Sequence, residues 1–114
     1  MFYHLCKKKI EKISELTSNE IIELKDVMKE IEIALMNISK FKPDRFNYFQ
    51  MGNSLHHLHF HGIPRYATSR NFNGQIWIDE TWGAPPTWSK TNVNKKLVLE
   101  IKNTLLPHLF LRNT

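Results

Sequence analysis

A capped amphipathic run near the N-terminus sets the tightest limit on the fold. It opens with Thr17-Ser18-Asn19-Glu20, a pattern in which the first and last side chains satisfy each other's backbone N–H groups at the start of a helix. Apolar residues then recur every three or four positions, the spacing of one helix face. These are Ile21, Leu24, Met28, Ile31, Leu35 and Ile38, with Val27 and Ala34 widening the stripe. The run therefore predicts a helix over residues 18–39 that buries one face.

Two short runs after this helix predict an antiparallel hairpin. Pro43 and Asp44 break the helical pattern, and the first strand is expected over 46–51. Gly52-Asn53 follows as a turn signal, and the second strand is expected over 55–63.

The rest of the chain predicts one long loop and one more helix. Residues 66–89 are rich in Gly, Pro, Asn and Trp, which favours an ordered surface loop. Residues 92–106 predict a second helix, with Val93, Leu97, Ile101 and Leu105 on one side. The expected fold is α+β: one domain over 1–114, with an amphipathic helix packed on an antiparallel sheet.

Composition and charge exclude several classes of protein. The apolar fraction of 41% and the charged fraction of 24% are those of a globular chain. Cys6 is the only cysteine, which excludes a disulfide scaffold and fits a reducing compartment. We expect a cytoplasmic protein, because no segment reads as a secretory signal or as the about 20 apolar residues of a membrane span. The net charge of +5 favours anionic ligands, but nucleic acid is not an expected partner, because no nucleic-acid-binding motif is present.

The most informative stretch carries four of the six histidines between positions 56 and 61. His57, His59 and His61 alternate, so in a strand they project from one face, about 7 Å apart between neighbouring Cα atoms. Leu58 and Phe60 would then face the core. We expect this row of imidazoles to line a polyanionic ligand, and the strand that carries it to be central or nearly central in the sheet.

Two chemistries fit this row of histidines. A neutral imidazole attacks phosphorus when its other nitrogen donates to a fixed acceptor, and flanking imidazoles stabilise the phosphate oxygens. Alternatively, a His-x-His pair on a strand is a geometry that binds zinc. The residue types alone leave both open.

The stretch His57-Leu58-His59-Phe60-His61-Gly62-Ile63 resembles the motif of the histidine triad family, in which three histidines alternate with apolar residues. Supporting likeness comes from the helix before it, from Asn47–Asn53, and from Ile63-Pro64-Arg65-Tyr66. Phe72-Asn73-Gly74-Gln75 and Asp79-Glu80-Thr81-Trp82-Gly83 are similar to the C-terminal region of a bacterial or archaeal branch, which includes hydrolases of diadenosine polyphosphates.

The resemblance implies roles for six residues. It implies that His59 is the nucleophile that attacks the α-phosphate of a nucleotide and that His61 contacts phosphate. It also implies that His57 supports the nucleophile and the phosphate site. Phosphate contacts are implied for Asn53, Ser54 and Asn47. Read as residues alone, Asn53 is also a plausible turn residue, and Ser54 also fits a bond to the backbone.

This chain departs from the family pattern at its N-terminal side. Lys9 stands where an additional active-site histidine is usual, and we expect the strands that precede this point in the family to be missing. Arg65 fits either a bidentate phosphate contact or a salt bridge at the surface or in a dimer. Trp77, Trp82 and Trp88 fit either stacking on a base or anchoring of the loop.

Three functions follow in order of preference. The first is a nucleotide hydrolase or transferase that attacks a dinucleoside polyphosphate or a nucleoside phosphoramidate through a nucleotidyl-histidine intermediate. The second is a degenerate nucleotide- or phosphate-binding module with little turnover, and the third is a metal-binding protein. The resemblance implies a homodimer. The triad chemistry requires no cofactor and holds no metal, although a divalent cation could assist.

Overall fold

The computed structural model describes residues 9–87 and 94–109, which form an α+β arrangement of two helices and two antiparallel hairpins. In chain order these are α1 (Ser18–Asn37), β1 (Arg45–Gln50), β2 (Phe60–Arg65), β3 (Arg70–Phe72), β4 (Gln75–Trp77) and α2 (Lys95–Leu105). Short 3₁₀ turns, Ile13–Glu15 and Leu106–His108, precede α1 and follow α2. The predicted fold class is confirmed.

Helix α1 begins where its capping signal predicts. The Thr17 hydroxyl accepts a hydrogen bond from the Glu20 N–H at 3.2 Å, and the Glu20 carboxylate accepts one from the Thr17 N–H at 2.9 Å. Burial increases toward the C-terminal end of the helix: Ala34 is 1% exposed, whereas Ile21 is 48% exposed. The predicted apolar face therefore packs mainly over its second half.

Strands β1 and β2 form the predicted hairpin, but β2 starts later than the sequence indicates. The register pairs Asn47 with Ile63 and Phe49 with His61, and the pairing stops where Gln50 meets Phe60. Residues 51–59 connect the strands, so Gly52-Asn53 does not make a two-residue turn. The prediction of one strand over 55–63 is wrong for its first half, because β1 ends too early to pair with it.

A second hairpin occupies part of the predicted loop 66–89. Strand β3 pairs with β4, and the turn between them is Asn73-Gly74 with φ values of 50° and 83°. This left-handed backbone suits Asn and Gly, and Asn-Gly is a strong signal for a two-residue hairpin turn. The sequence did not predict these strands because each has only three residues, too few to show the alternation of apolar and polar side chains that is typical of a strand.

Helix α2 confirms the predicted second helix over the residues that are described. Its cap is Asn94, whose side-chain oxygen accepts hydrogen bonds from the N–H groups of Lys96 and Leu97 at 3.0 and 3.3 Å. Residues 92 and 93, where the helix was predicted to begin, lie outside the described residues.

The core of the described residues consists of two clusters. The larger contains Ile38, Phe41, Phe72 and Leu97 and joins the end of α1 to β3 and α2; the smaller contains Ile10 and Leu58, with Leu16 and Phe60 against it. Over residues 9–87 and 94–109, β2 pairs only with β1, so the expectation of a central strand is not met. No helix in this described part is long and apolar enough to cross a membrane.

Candidate functional site

The histidine segment keeps its two-sided character although only its end is strand. Leu58 is 7% exposed, packs against Ile10 and donates its backbone N–H to the Ile10 carbonyl at 2.7 Å. Phe60 packs against the same cluster. The apolar residues that alternate with the triad therefore face the core, as predicted, and the segment from Ile10 substitutes for a strand partner at this point.

His59 is held by the backbone of the same segment. Its Nδ1 lies 2.7 Å from the carbonyl oxygen of His57. A carbonyl oxygen only accepts, so Nδ1 carries the proton of this hydrogen bond, and in the neutral ring Nε2 keeps its lone pair. This is the tautomer that an imidazole nucleophile requires.

His61, the one triad histidine inside β2, lies beside His59. The two ring centroids are 5.2 Å apart and the rings meet edge to face at 81°. His57, His59 and His61 are all partly buried. The structure thus places two imidazoles side by side and connects the third to them through its backbone.

The other predicted phosphate contacts are distributed unevenly. Asn53 and Ser54 lie exposed in the 51–59 connection, and the Asn53 carbonyl oxygen is 3.3 Å from Nε2 of His56. Asn47 lies on β1, where its side-chain oxygen accepts a hydrogen bond from Arg65 Nη1 at 2.7 Å. Asn47 is therefore part of a different polar network, two residues from Phe49, the partner of His61.

That network is centred on Arg65, which is 3% exposed. Its Nε lies 2.6 Å from Asp79 Oδ2, and its Nη2 lies 3.2 Å from Asp79 Oδ1. Nη2 also donates to the carbonyl oxygens of Thr81 and Ala84. Arg65 is thus neither a surface bridge nor an open phosphate clamp: its donors are used inside the chain. Sequence could not identify this role, because Asp79 is distant along the chain and only the fold brings it close.

The electrostatics of this network follow from the pairing. The hydrogen bond from Arg65 holds the pKa of the Asp79 carboxyl below its ordinary value, and bonds from the backbone N–H groups of Tyr66 and Thr81 act in the same direction. On the opposite face of the hairpin, burial and a hydrogen bond with Glu32 raise the pKa of Tyr48 to about 12. Tyr48 therefore stays neutral and connects the hairpin to α1.

A cavity of about 750 Å³ opens beside the triad hairpin, and no triad histidine lines it. Its wall includes Ile63 and Arg65 of β2, Asp79 and Thr81 of the following loop, and the rings of Tyr66, Phe72 and Trp77. Trp77 and Trp82 are 42% and 39% exposed, and Trp88 lies outside the described residues. Trp77 and Trp82 are thus only partly packed against the rest of the protein.

The N-terminal part reaches the site through Ile10. Lys9, the residue in the position of the family's additional histidine, is exposed and immediately precedes the residue that bonds to Leu58. Within residues 9–87 and 94–109, no three His, Cys, Asp or Glu side chains come together as a group that could hold a metal ion.

Comparisons with known proteins agree with this geometry. Residues 2–75 match the model of a family described as scavenger mRNA decapping enzyme C-term binding. The fold is similar to that of a histidine triad protein from Marinobacter aquaeolei VT8, with a TM-score of 0.58 and 26% identity. That likeness covers 88% of this chain and 66% of the other, so this chain spans slightly less than two thirds of its relative. No curated protein sequence matches this chain.

Proposed function

The chain belongs to the scavenger mRNA decapping enzyme C-term binding family and is a histidine triad protein, and from this membership we propose that it hydrolyses or transfers nucleotides. The substrate class is a dinucleoside polyphosphate or a nucleoside phosphoramidate, attacked at its α-phosphate. The observation that carries the proposal is the 2.7 Å contact between His59 Nδ1 and the His57 carbonyl oxygen.

The reaction has two steps. Nε2 of His59 attacks the α-phosphorus, a P–N bond forms, and the bond to the polyphosphate or amine breaks, so that the leaving group takes the electron pair and then a proton from solvent. Water next attacks the same phosphorus and releases a proton to solvent, while the P–N bond breaks and returns its electron pair to Nε2. The positive charge on the ring in the intermediate is stabilised by the His57 carbonyl oxygen, which accepts from Nδ1 throughout.

Neighbouring groups assist both steps. His61 lies against His59 and is placed to donate to a phosphate oxygen, and His57 fixes the nucleophile through its backbone. Asn53, Ser54 and Asn47 are proposed as further phosphate contacts. A divalent cation would neutralise the polyphosphate chain, and the histidine chemistry itself needs no cofactor.

A binding module with little turnover is the second candidate, and two observations favour it. Asn47 already uses its side-chain oxygen for Arg65, and a lysine, Lys9, stands where the resemblance implies an additional active-site histidine. In this case nucleotide binds at the triad but the second step is slow.

Intact-mass measurement after brief incubation with a dinucleoside tetraphosphate separates the candidates, with chromatography to detect products. We expect a transient adduct of one nucleotide and product formation, both lost in His59→Ala. The matched control is His56→Ala, which removes the adjacent exposed imidazole and should retain both. Nucleotide binding without adduct or product, from folded protein, would favour the binding module.

A further inference from the structure

Arg65 shares a face of the hairpin with the triad. Side chains alternate along a strand, so His61, Ile63 and Arg65 project from the same side of β2. Antiparallel partners share a face as well, which places Asn47, opposite Ile63, on this side. The hydrogen bond between Arg65 and Asn47 therefore runs across the triad face itself.

The loop 79–84 is attached to this face through Arg65. The guanidinium meets the Asp79 carboxylate with two nitrogens and donates to the Thr81 and Ala84 carbonyl oxygens. Asp79 also accepts from the backbone N–H groups of Tyr66 and Thr81, which fixes the carboxylate in turn. Removing either charged partner leaves the other largely buried and without its counter-charge.

Asp79, Glu80 and Thr81 of this loop line the 750 Å³ cavity, and so does Ile63 of β2. Ile63 is two residues from His61, about 7 Å between Cα atoms. A substrate whose phosphate lies at the histidines therefore reaches the cavity with its next group. The lining also includes the rings of Tyr66, Phe72 and Trp77, which suit the planar base of a nucleotide.

We propose that the Arg65–Asp79 pair is a positioning element for substrate binding: it holds loop 79–84 as the wall of a cavity that receives the part of the nucleotide beyond the reacting phosphate. The inference rests on the proposed function, because it takes the ligand to be a nucleotide held at the triad. Arg65 and Asp79 act on the substrate through the loop.

The test compares Asp79→Asn with Asp26→Asn. The control makes the same chemical change at an exposed carboxylate of α1, which lies 3.8 Å from the Lys25 ammonium. Neither Asp26 nor Lys25 lines the cavity. For each protein, KM and kcat are measured with a dinucleoside tetraphosphate, the Kd of AMP by calorimetry, and the active fraction from the adduct amplitude.

We expect Asp79→Asn to raise KM and the Kd of AMP about tenfold, while kcat per active molecule stays within about twofold. Asp26→Asn should change neither constant. A purely structural role for the pair predicts a smaller active fraction with unchanged KM and Kd, and that result would overturn the proposal.

A second variant keeps the proposal testable if Asp79→Asn fails to fold. Trp77→Ala removes a ring that is 42% exposed and lines the cavity, so little packing is lost. We expect it to raise the Kd of AMP at least about threefold. An unchanged Kd in Trp77→Ala would count against the cavity as a ligand site.

The two proposals fail in different ways. A wild-type protein that binds AMP but forms neither adduct nor product would refute the hydrolase or transferase function, while the Kd values of the variants would still decide on the cavity. A wild-type protein that binds no AMP would overturn this inference.

Discussion

At the scale of single residues, hydrogen bonds fix two side chains of the candidate site. His59 obtains a defined tautomer from one backbone carbonyl, and Arg65 obtains its conformation from Asp79, Asn47 and two carbonyl oxygens. A charged group that is removed from water must be paired and hydrogen-bonded, and Arg65 meets this condition within the chain. Its role is therefore to order the residues around the triad.

The Asp79 carboxylate gives the protein a pH-dependent stability. Its pKa is lowered in the folded protein by Arg65, relative to about 3.9 in an unfolded chain. The stabilisation is therefore complete above the unfolded value and is lost as the pH falls through the folded value. We expect Asp79→Asn to lower Tm by about 5 °C at neutral pH and the difference from wild type to shrink below about pH 4.

Thermal unfolding followed by circular dichroism between about pH 3 and pH 7 measures this difference. A difference in Tm that stays constant across the whole range would contradict the assigned cause.

At the scale of elements, helix termini and hairpin turns fix where each segment begins. α1 and α2 both start at side chains that satisfy the first backbone N–H groups, Thr17 and Asn94. The hairpin β3–β4 is set by Asn73-Gly74, and the Asn73 amide donates to Glu100 of α2 at 2.6 Å. The turn thus also connects the small hairpin to the second helix.

The cap of α1 has a measurable contribution to stability. Thr17→Ala removes the hydroxyl that accepts from the Glu20 N–H, and we expect a loss of about 1 kcal/mol in the free energy of unfolding. Urea unfolding measures the loss. Ser18→Ala, one residue along, should change the free energy by less than about 0.5 kcal/mol. Equal losses in the two variants would show that the capping bond contributes nothing specific.

At the scale of the whole molecule, the larger cluster joins elements that are distant in sequence. Phe72 of β3 is 4% exposed and packs against Phe41, with 5.0 Å between the ring centroids. Leu97 of α2 and Ile38 after α1 complete the cluster. The two helices and the small hairpin are therefore held together at one place, separate from the Ile10–Leu58 cluster beneath the triad.

Removing the ring at this point should destabilise the fold as a whole. We expect Phe72→Ala to lower the free energy of unfolding by about 3–5 kcal/mol, a large part of the stability of a small domain. Ile78→Ala, at a side chain that is 69% exposed, should change it by less than about 0.5 kcal/mol. The comparison uses urea unfolding at neutral pH, and similar effects of the two substitutions would place the core elsewhere.

The amino-acid sequence by itself determined the features that depend on neighbouring residues. The start of α1 follows from Thr17 and Glu20, and the sidedness of the triad segment follows from the alternation of Leu58 and Phe60 with histidines. Such patterns are visible because capping and periodicity act over a few residues. The motif on which the family was predicted is also local, because it lies within residues 57–63.

Only the tertiary structure decided what depends on distant partners. β2 begins at Phe60 because β1 offers no partner to the preceding residues, and Leu58 bonds instead to Ile10. Arg65 forms an internal ion pair because the fold brings Asp79 close to the end of β2. Burial and ion pairing are properties of the folded chain and have no local signature in the sequence, so the positioning of the loop beside the triad could be read only from the structure.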